Sequence, residues 1–211
     1  AERSDKFALE MLGFSEKDQE KIHRAILKPF GMILATGPTG SGKTTSLYTI
    51  LKKLNEPEVS IITIEDPIEY AIVGINQMQV NSRTGLTFAN GLRSMLRQDP
   101  DIIMVGEIRD KETASLAINT ALTGHLVLST LHTTDAATTL PRLLDLGMEP
   151  YLIAATVNAV IGQRLVRKIC PHCKEEHKLT EGEEKAVREL GADKFLAQQK
   201  KLWRGKGCEK C

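Results

Sequence analysis

The chain has 211 residues, 41% of them hydrophobic, with 28 lysines and arginines set against 27 aspartates and glutamates. That length and apolar fraction suit one ordinary domain with a small appendage and exclude a disordered protein. The near-balanced charge excludes an overall field that would recruit nucleic acid or an anionic bilayer, and no apolar run is long enough to insert in a membrane.

The start lacks a methionine and opens mid-pattern, so a fragment of something longer is expected; it also lacks a basic-then-apolar signal, which predicts a cytoplasmic chain. Ser15 with Asp18 predicts a helix cap, and Glu16 to Lys28 carries Ile22, Ile26 and Leu27 on one side before Pro29 ends it. Four apolar runs follow: Gly31–Thr36, Ser60–Glu65, Asp101–Gly106 and Leu126–Leu131. Each is nearly continuous rather than alternating, as strands of a parallel sheet covered on both faces should be. Helical patterns at Thr45–Leu54, Phe88–Arg97 and Lys111–Leu122 separate them, which predicts a three-layer α/β domain. Ala71–Val73 and Ile75–Val80 around Gly74 predict a short hairpin at the sheet edge. Asp135–Leu146 and Pro150–Leu165 read as two more helices, the second opened by its proline.

Between the first run and the first helix lies Gly37-Pro38-Thr39-Gly40-Ser41-Gly42-Lys43-Thr44, followed by Thr45. This is a phosphate-loop pattern in strand-loop-helix context. Its glycines let backbone amides curl around a polyphosphate, and the next helix offers its positive end to the same anion. Lys43 is expected on the outer phosphates and the Thr44 hydroxyl on Mg²⁺, with ATP as the nucleotide because no Asn-Lys-x-Asp guanine-reading element occurs. A glycine-rich turn with no ligand is the alternative.

Parallel sheets bind ligands beyond the carboxyl ends of their strands. Glu65 ends the second run, Glu107 follows the third, and His132 follows the fourth, so these charged groups are expected at one edge. Phosphoryl transfer needs a positioned water, a metal and charges that meet the developing negative charge. Glu107 is assigned to the Mg²⁺ and water site, with Glu65 as partner carboxylate and their division of labour left open. His132 is expected to sense the γ-phosphate, whereas His125 lies at the opposite end of its strand. Arg93 and Arg97 stand four apart, on one expected helix face, where both can reach a neighbour's nucleotide. For each of these residues the alternative is an ordinary solvated or ion-paired side chain.

All four cysteines lie near the C-terminus, as Cys170-Pro171-His172-Cys173 and Cys208-Glu209-Lys210-Cys211. Two C-x₂-C pairs in a reducing compartment suit a closed tetrahedral Zn²⁺ site rather than disulfides. Between them, Thr180 and Glu183 predict a capped helix ending near Gly191, and Leu202-Trp203 a returning strand. A redox dithiol is the rival, but it would leave the second pair unexplained.

Gly37–Thr44, Ile64–Tyr70, Asp99–Asp110 and Thr123–Thr133 together resemble the Walker A, Asp box, atypical Walker B and His box of the type II secretion and type IV pilus assembly ATPases. The resemblance runs over nearly the whole chain from about residue 15, and the tetracysteine element points to the secretion and pilus-extension branch. It implies a RecA-like P-loop domain over 1–168 with a mostly parallel sheet, then a tetracysteine zinc-binding element over 169–211. It also implies a cytoplasmic, usually hexameric ring, peripheral at the inner membrane through platform and adaptor proteins, that spends ATP on filament assembly. The carried-over residues are Lys43, Thr44, Glu65, Glu107, His125, His132, Arg93 and Arg97. The family's N-terminal domain is almost wholly missing, so slow hydrolysis and a monomer are expected of this chain alone. A RecA-like nucleic-acid motor and a non-hydrolysing, nucleotide-regulated scaffold are the alternatives, the first disfavoured by balanced charge and scarce aromatics.

Overall fold

The computed structural model describes residues 8–192 and 201–211. The expected domains at 1–168 and 169–211 thus each include residues outside that description. The chain divides into two compact units, one ending at Leu165 and the other beginning at Val166.

The first unit is a six-stranded sheet in which every neighbouring pair is parallel. Its strands are β1 (Gly31–Thr36), β2 (Ile61–Glu65), β3 (Asn76–Gln79), β4 (Ile102–Val105), β5 (Leu126–Leu131) and β6 (Val157–Gly162), in the order β3-β2-β4-β5-β1-β6. The helices are α1 (Glu16–Ile26), α2 (Lys43–Leu54), α3 (Phe88–Met95), α4 (Lys111–Leu122), α5 (Thr139–Asp145) and α6 (Pro150–Thr156). The four predicted apolar runs form β1, β2, β4 and β5, buried throughout because helices cover both faces. Alternate residues serve opposite cores. Ile33, Ala35, Ile61 and Leu128 pack with Ile22, Leu47 and Leu51, whereas Met32, Leu34, Ile62 and Val127 pack with Leu92, Ala117 and Ile153.

Local chemistry sets the helix boundaries. Ser15, Thr87 and Asp110 each accept a hydrogen bond from a backbone N–H in the first turn of α1, α3 and α4. Helix α3 is tight against β2 at Gly91, where a Cβ would stand 1.9 Å from Ile64 Cδ1.

Three expectations are corrected. The predicted hairpin over 71–80 is absent; residues 66–75 cross the α2 face, burying Ile72 and Ile75, and return as β3, parallel to β2. Edge strand β3 reads Asn-Gln-Met-Gln and is only partly buried, so it carries no apolar run to announce it. The predicted helix from Pro150 to Leu165 ends at Thr156, and the remainder supplies β6. Asn158 fixes that strand beside β1: its Nδ2 donates to Phe30 O at 2.8 Å and occupies the place where a Cβ on Gly31 (φ +114°) would fall. The α3 helix closes at Met95, leaving Arg97 in a 3-10 turn, Leu96–Gln98, so Arg93 and Arg97 do not share an unbroken α-helical face.

In the second unit, β7 (Lys174–His177) and β8 (Leu202–Gly205) form an antiparallel ribbon with α7 (Glu181–Glu189) between them in sequence. Thr180 and Glu183 form the capping box predicted for α7. Antiparallel pairing brings the start of β7, just after Cys173, beside the end of β8, just before Cys208.

Candidate active site

The carboxyl ends of the strands are cross-tied before any site group is placed. Thr36, the last residue of β1, donates to Thr133 O at 3.0 Å. Ser129 and Thr130 of β5 donate to Val105 O and Gly106 O at 2.7 and 2.8 Å, and Gly106 N–H donates to Ile64 O at 2.8 Å. These ties fix the rim from which the candidate groups project.

Between β1 and α2, Gly37, Gly40 and Gly42 all have positive φ, which only glycine adopts without strain. Gly42 is the N-cap of α2 and supplies no side-chain cap, so the first amides of this three-turn helix are left for an anion. Lys43 turns back over the loop and donates to Gly37 O and Pro38 O, both at 3.0 Å. Burial lowers the Lys43 pKa, and the Glu107 charge opposes that shift.

Two residues beyond β4, Glu107 is 8% exposed, and its Oε2 receives both Arg109 Nε at 2.6 Å and His132 Nε2 at 3.0 Å. The carboxylate raises the Arg109 pKa, chiefly through that hydrogen bond. Lys43, Glu107 and His132, predicted from three distant stretches, therefore meet on one rim. Arg109 joins them.

Glu65 is placed differently. It is 2% exposed, and its carboxylate accepts from Thr63 Oγ1 at 2.6 Å, from Gln77 Nε2 at 3.1 Å and from the Tyr48 hydroxyl. Those partners join β2 to α2 and β3. Sequence reasoning missed Tyr48 and Gln77, since a tyrosine inside an apolar helix stripe and a glutamine on a weak strand look structural. Arg93 pairs with Glu112 of α4 at 2.6 Å, Arg97 reaches Ser94 at 3.5 Å, and His125 meets Thr120 O at 3.1 Å at the other end of β5.

In the second unit, the sulfurs of Cys170, Cys173, Cys208 and Cys211 lie within 4.8 Å of one another, the nearest pairs at 3.7 Å. Zn–S bonds of about 2.3 Å in a tetrahedron set sulfurs roughly 3.8 Å apart, so the four thiols fit such an ion and are too far apart for disulfides. No metal-sized cluster of other His, Cys, Asp or Glu side chains occurs among the described residues. No helix among them is long and apolar enough to cross a membrane.

A family model described as "Type II/IV secretion system protein" matches residues 1–211. The chain is 52% identical over 208 residues to the type IV pilus assembly ATPase PilB of Thermus thermophilus, covering 99% of this chain and 23% of that protein. It is 51% identical over 203 residues to the type II secretion system protein E of Pseudomonas aeruginosa, covering 96% and 39%. Among solved structures, the pilus retraction motor PilT with bound ADP superposes with a TM-score of 0.67 at 33% identity, covering 90% of this chain and 58% of that one. The chain thus spans well under half the length of the two curated relatives.

Proposed function

The chain belongs to the type II/IV secretion system protein family, and from that premise we propose that it is the nucleotide-hydrolysing part of a type II secretion or type IV pilus assembly motor. ATP turnover in a ring, hexameric in the whole protein, drives addition of pilin-like subunits through inner-membrane platform and adaptor proteins.

The observation that carries this reading is the Glu107 carboxylate, nearly buried on the rim of a parallel sheet and held by Arg109 and His132 beside the phosphate loop. In this role the backbone N–H groups of the Gly37–Thr45 loop, Pro38 excepted, bind the phosphates, and Lys43 exchanges its two carbonyl partners for phosphate oxygens. Thr44 and Glu107 are hard oxygen donors suited to Mg²⁺, which when bound neutralises phosphate charge. Glu107 orients the attacking water, and His132 holds Glu107 and reads the γ-phosphate side. Glu65, fully engaged with Tyr48, Thr63 and Gln77, joins α2 to β2 and positions the site from below. Arg93 and Arg97 lie outside this cluster and act between neighbouring subunits. The four cysteines hold Zn²⁺, which organises the second unit.

Phosphate release tests this reading. Glu107→Gln should lower turnover about 10²-fold or more while ADP affinity stays near wild type. Lys43→Ala should abolish ADP binding. Because arginine contacts made in trans can contribute about 10³–10⁵ in rate, this chain alone should turn over slowly and faster once it is part of a ring. Equal turnover by Glu107→Gln and the unaltered chain would overturn the assignment.

A further inference from the structure

The phosphate loop is held at one point that its own turns do not supply. Gln163 directly follows β6, and its N–H donates to Thr36 O at 3.0 Å, extending the pairing with β1 to the start of the loop. From there its Nε2 reaches Ser41 O at 2.7 Å. Its own carbonyl fills the space beside Gly37, where an added Cβ would stand 2.2 Å away. A Cβ on Gly42 would lie 3.1 Å from the same side-chain nitrogen.

The consequence follows from peptide geometry. In a planar trans peptide the C=O and N–H point in opposite directions. Holding the Ser41 carbonyl on Gln163 therefore aims the Gly42 N–H away from β6, and Gly42 at φ +87° passes that orientation into the first turn of α2. The Ser41 hydroxyl and Gln163 Oε1 are enclosed beside this contact and have no hydrogen-bond partner among the described residues.

We infer that Gln163 is a positioning residue for phosphate binding, which fixes the Ser41–Gly42 peptide so that the loop amides are aimed at the anion before it arrives. The inference rests on the nucleotide-binding reading given above. Sequence position alone hides the role, because Gln163 opens the basic run Gln163-Arg164-Leu165-Val166-Arg167-Lys168, whose default reading is a solvated face.

The test compares ADP affinity and thermal stability in the full chain for wild type, Gln163→Met, Gln163→Glu and Lys43→Ala, using a fluorescent ADP analogue. Gln163→Met keeps the volume and loses the donor; Gln163→Glu keeps the length and sets an acceptor against the Ser41 carbonyl. Both should weaken ADP about tenfold and reduce the rise in melting temperature on adding ADP, with the nucleotide-free melting temperature near wild type. Affinity within twofold of wild type in both variants would overturn the inference. So would a fall in the nucleotide-free melting temperature with an unaltered ADP-induced rise, since that is the signature of a purely structural residue. If one variant fails to fold, the other decides. Wild type that binds no ADP, or a Lys43→Ala variant that binds it equally well, would instead overturn the nucleotide reading and take this inference with it.

Discussion

Glu65 ends one apolar run and Glu107 follows another, and the fold gives the two carboxylates different surroundings. Glu107 keeps one edge toward solvent and is met there by Arg109 and His132, whereas Glu65 is enclosed by three donors, Thr63 of its own strand, Tyr48 of α2 and Gln77 of β3. The buried carboxylate also changes its neighbour. Burial first, and then the hydrogen bond to Glu65, raise the Tyr48 pKa above its ordinary 10.0; burial raises Tyr70 as well. The folded chain therefore holds a proton that the unfolded chain releases as the pH rises past about 10. Stability from this pair is complete below that pH and falls above it, by up to about 1.4 kcal/mol per pH unit for one proton. Urea unfolding at pH 8 and pH 11 should show a smaller loss for Tyr48→Phe than for wild type. At pH 8 the same variant should be less stable by about 1–3 kcal/mol, because a buried carboxylate loses a donor.

Among the elements, α3 shows how closely the layers meet. Gly91 is not a turn glycine but the point where the helix rests on β2, with Ile64 Cδ1 in the space a methyl group would need. Gly91→Ala improves helix propensity, yet overpacking should win and destabilise the chain by about 1–3 kcal/mol in chemical denaturation. Strands β1, β2, β4 and β5 were legible because burial on both faces leaves a continuous apolar run and little else. Strand β3 was expected only as an arm of a hairpin, within Ile75–Val80, and β6 was not expected as a strand. The first is a polar edge that owes its place to parallel pairing with β2 and to Gln77, which receives the Ile72 N–H at 2.7 Å. The second begins directly after a helix, and a run such as Val157–Ile161 fits a buried helix as readily as a strand.

At the scale of the whole molecule, two compact units follow different rules. The first has two apolar clusters, one on each side of its sheet, and can hold itself together by burial. Among its described residues the second has no buried helix position, and its ribbon has only four residues per strand, so a metal at the four cysteines is the expected staple. Elemental analysis should find about one zinc per chain. Stripping it should shift the emission of Trp203, the chain's one tryptophan, and open the second unit to proteolysis, while ADP binding to the first survives. A chain that carries no zinc, or whose Trp203 emission ignores chelation, would remove the metal from this picture.

By itself the sequence determined the phosphate-loop pattern, the paired cysteines, the caps at Ser15 and Thr180 and the doubly covered strands, since each is written in contiguous residues whose backbone or ligand chemistry is local. Only the tertiary structure decided which acid faces the rim, which is locked beneath it, and that Gln163 reaches Ser41 across 122 positions of chain. Those contacts come from strand order and parallel register, which bring together residues that no local pattern connects.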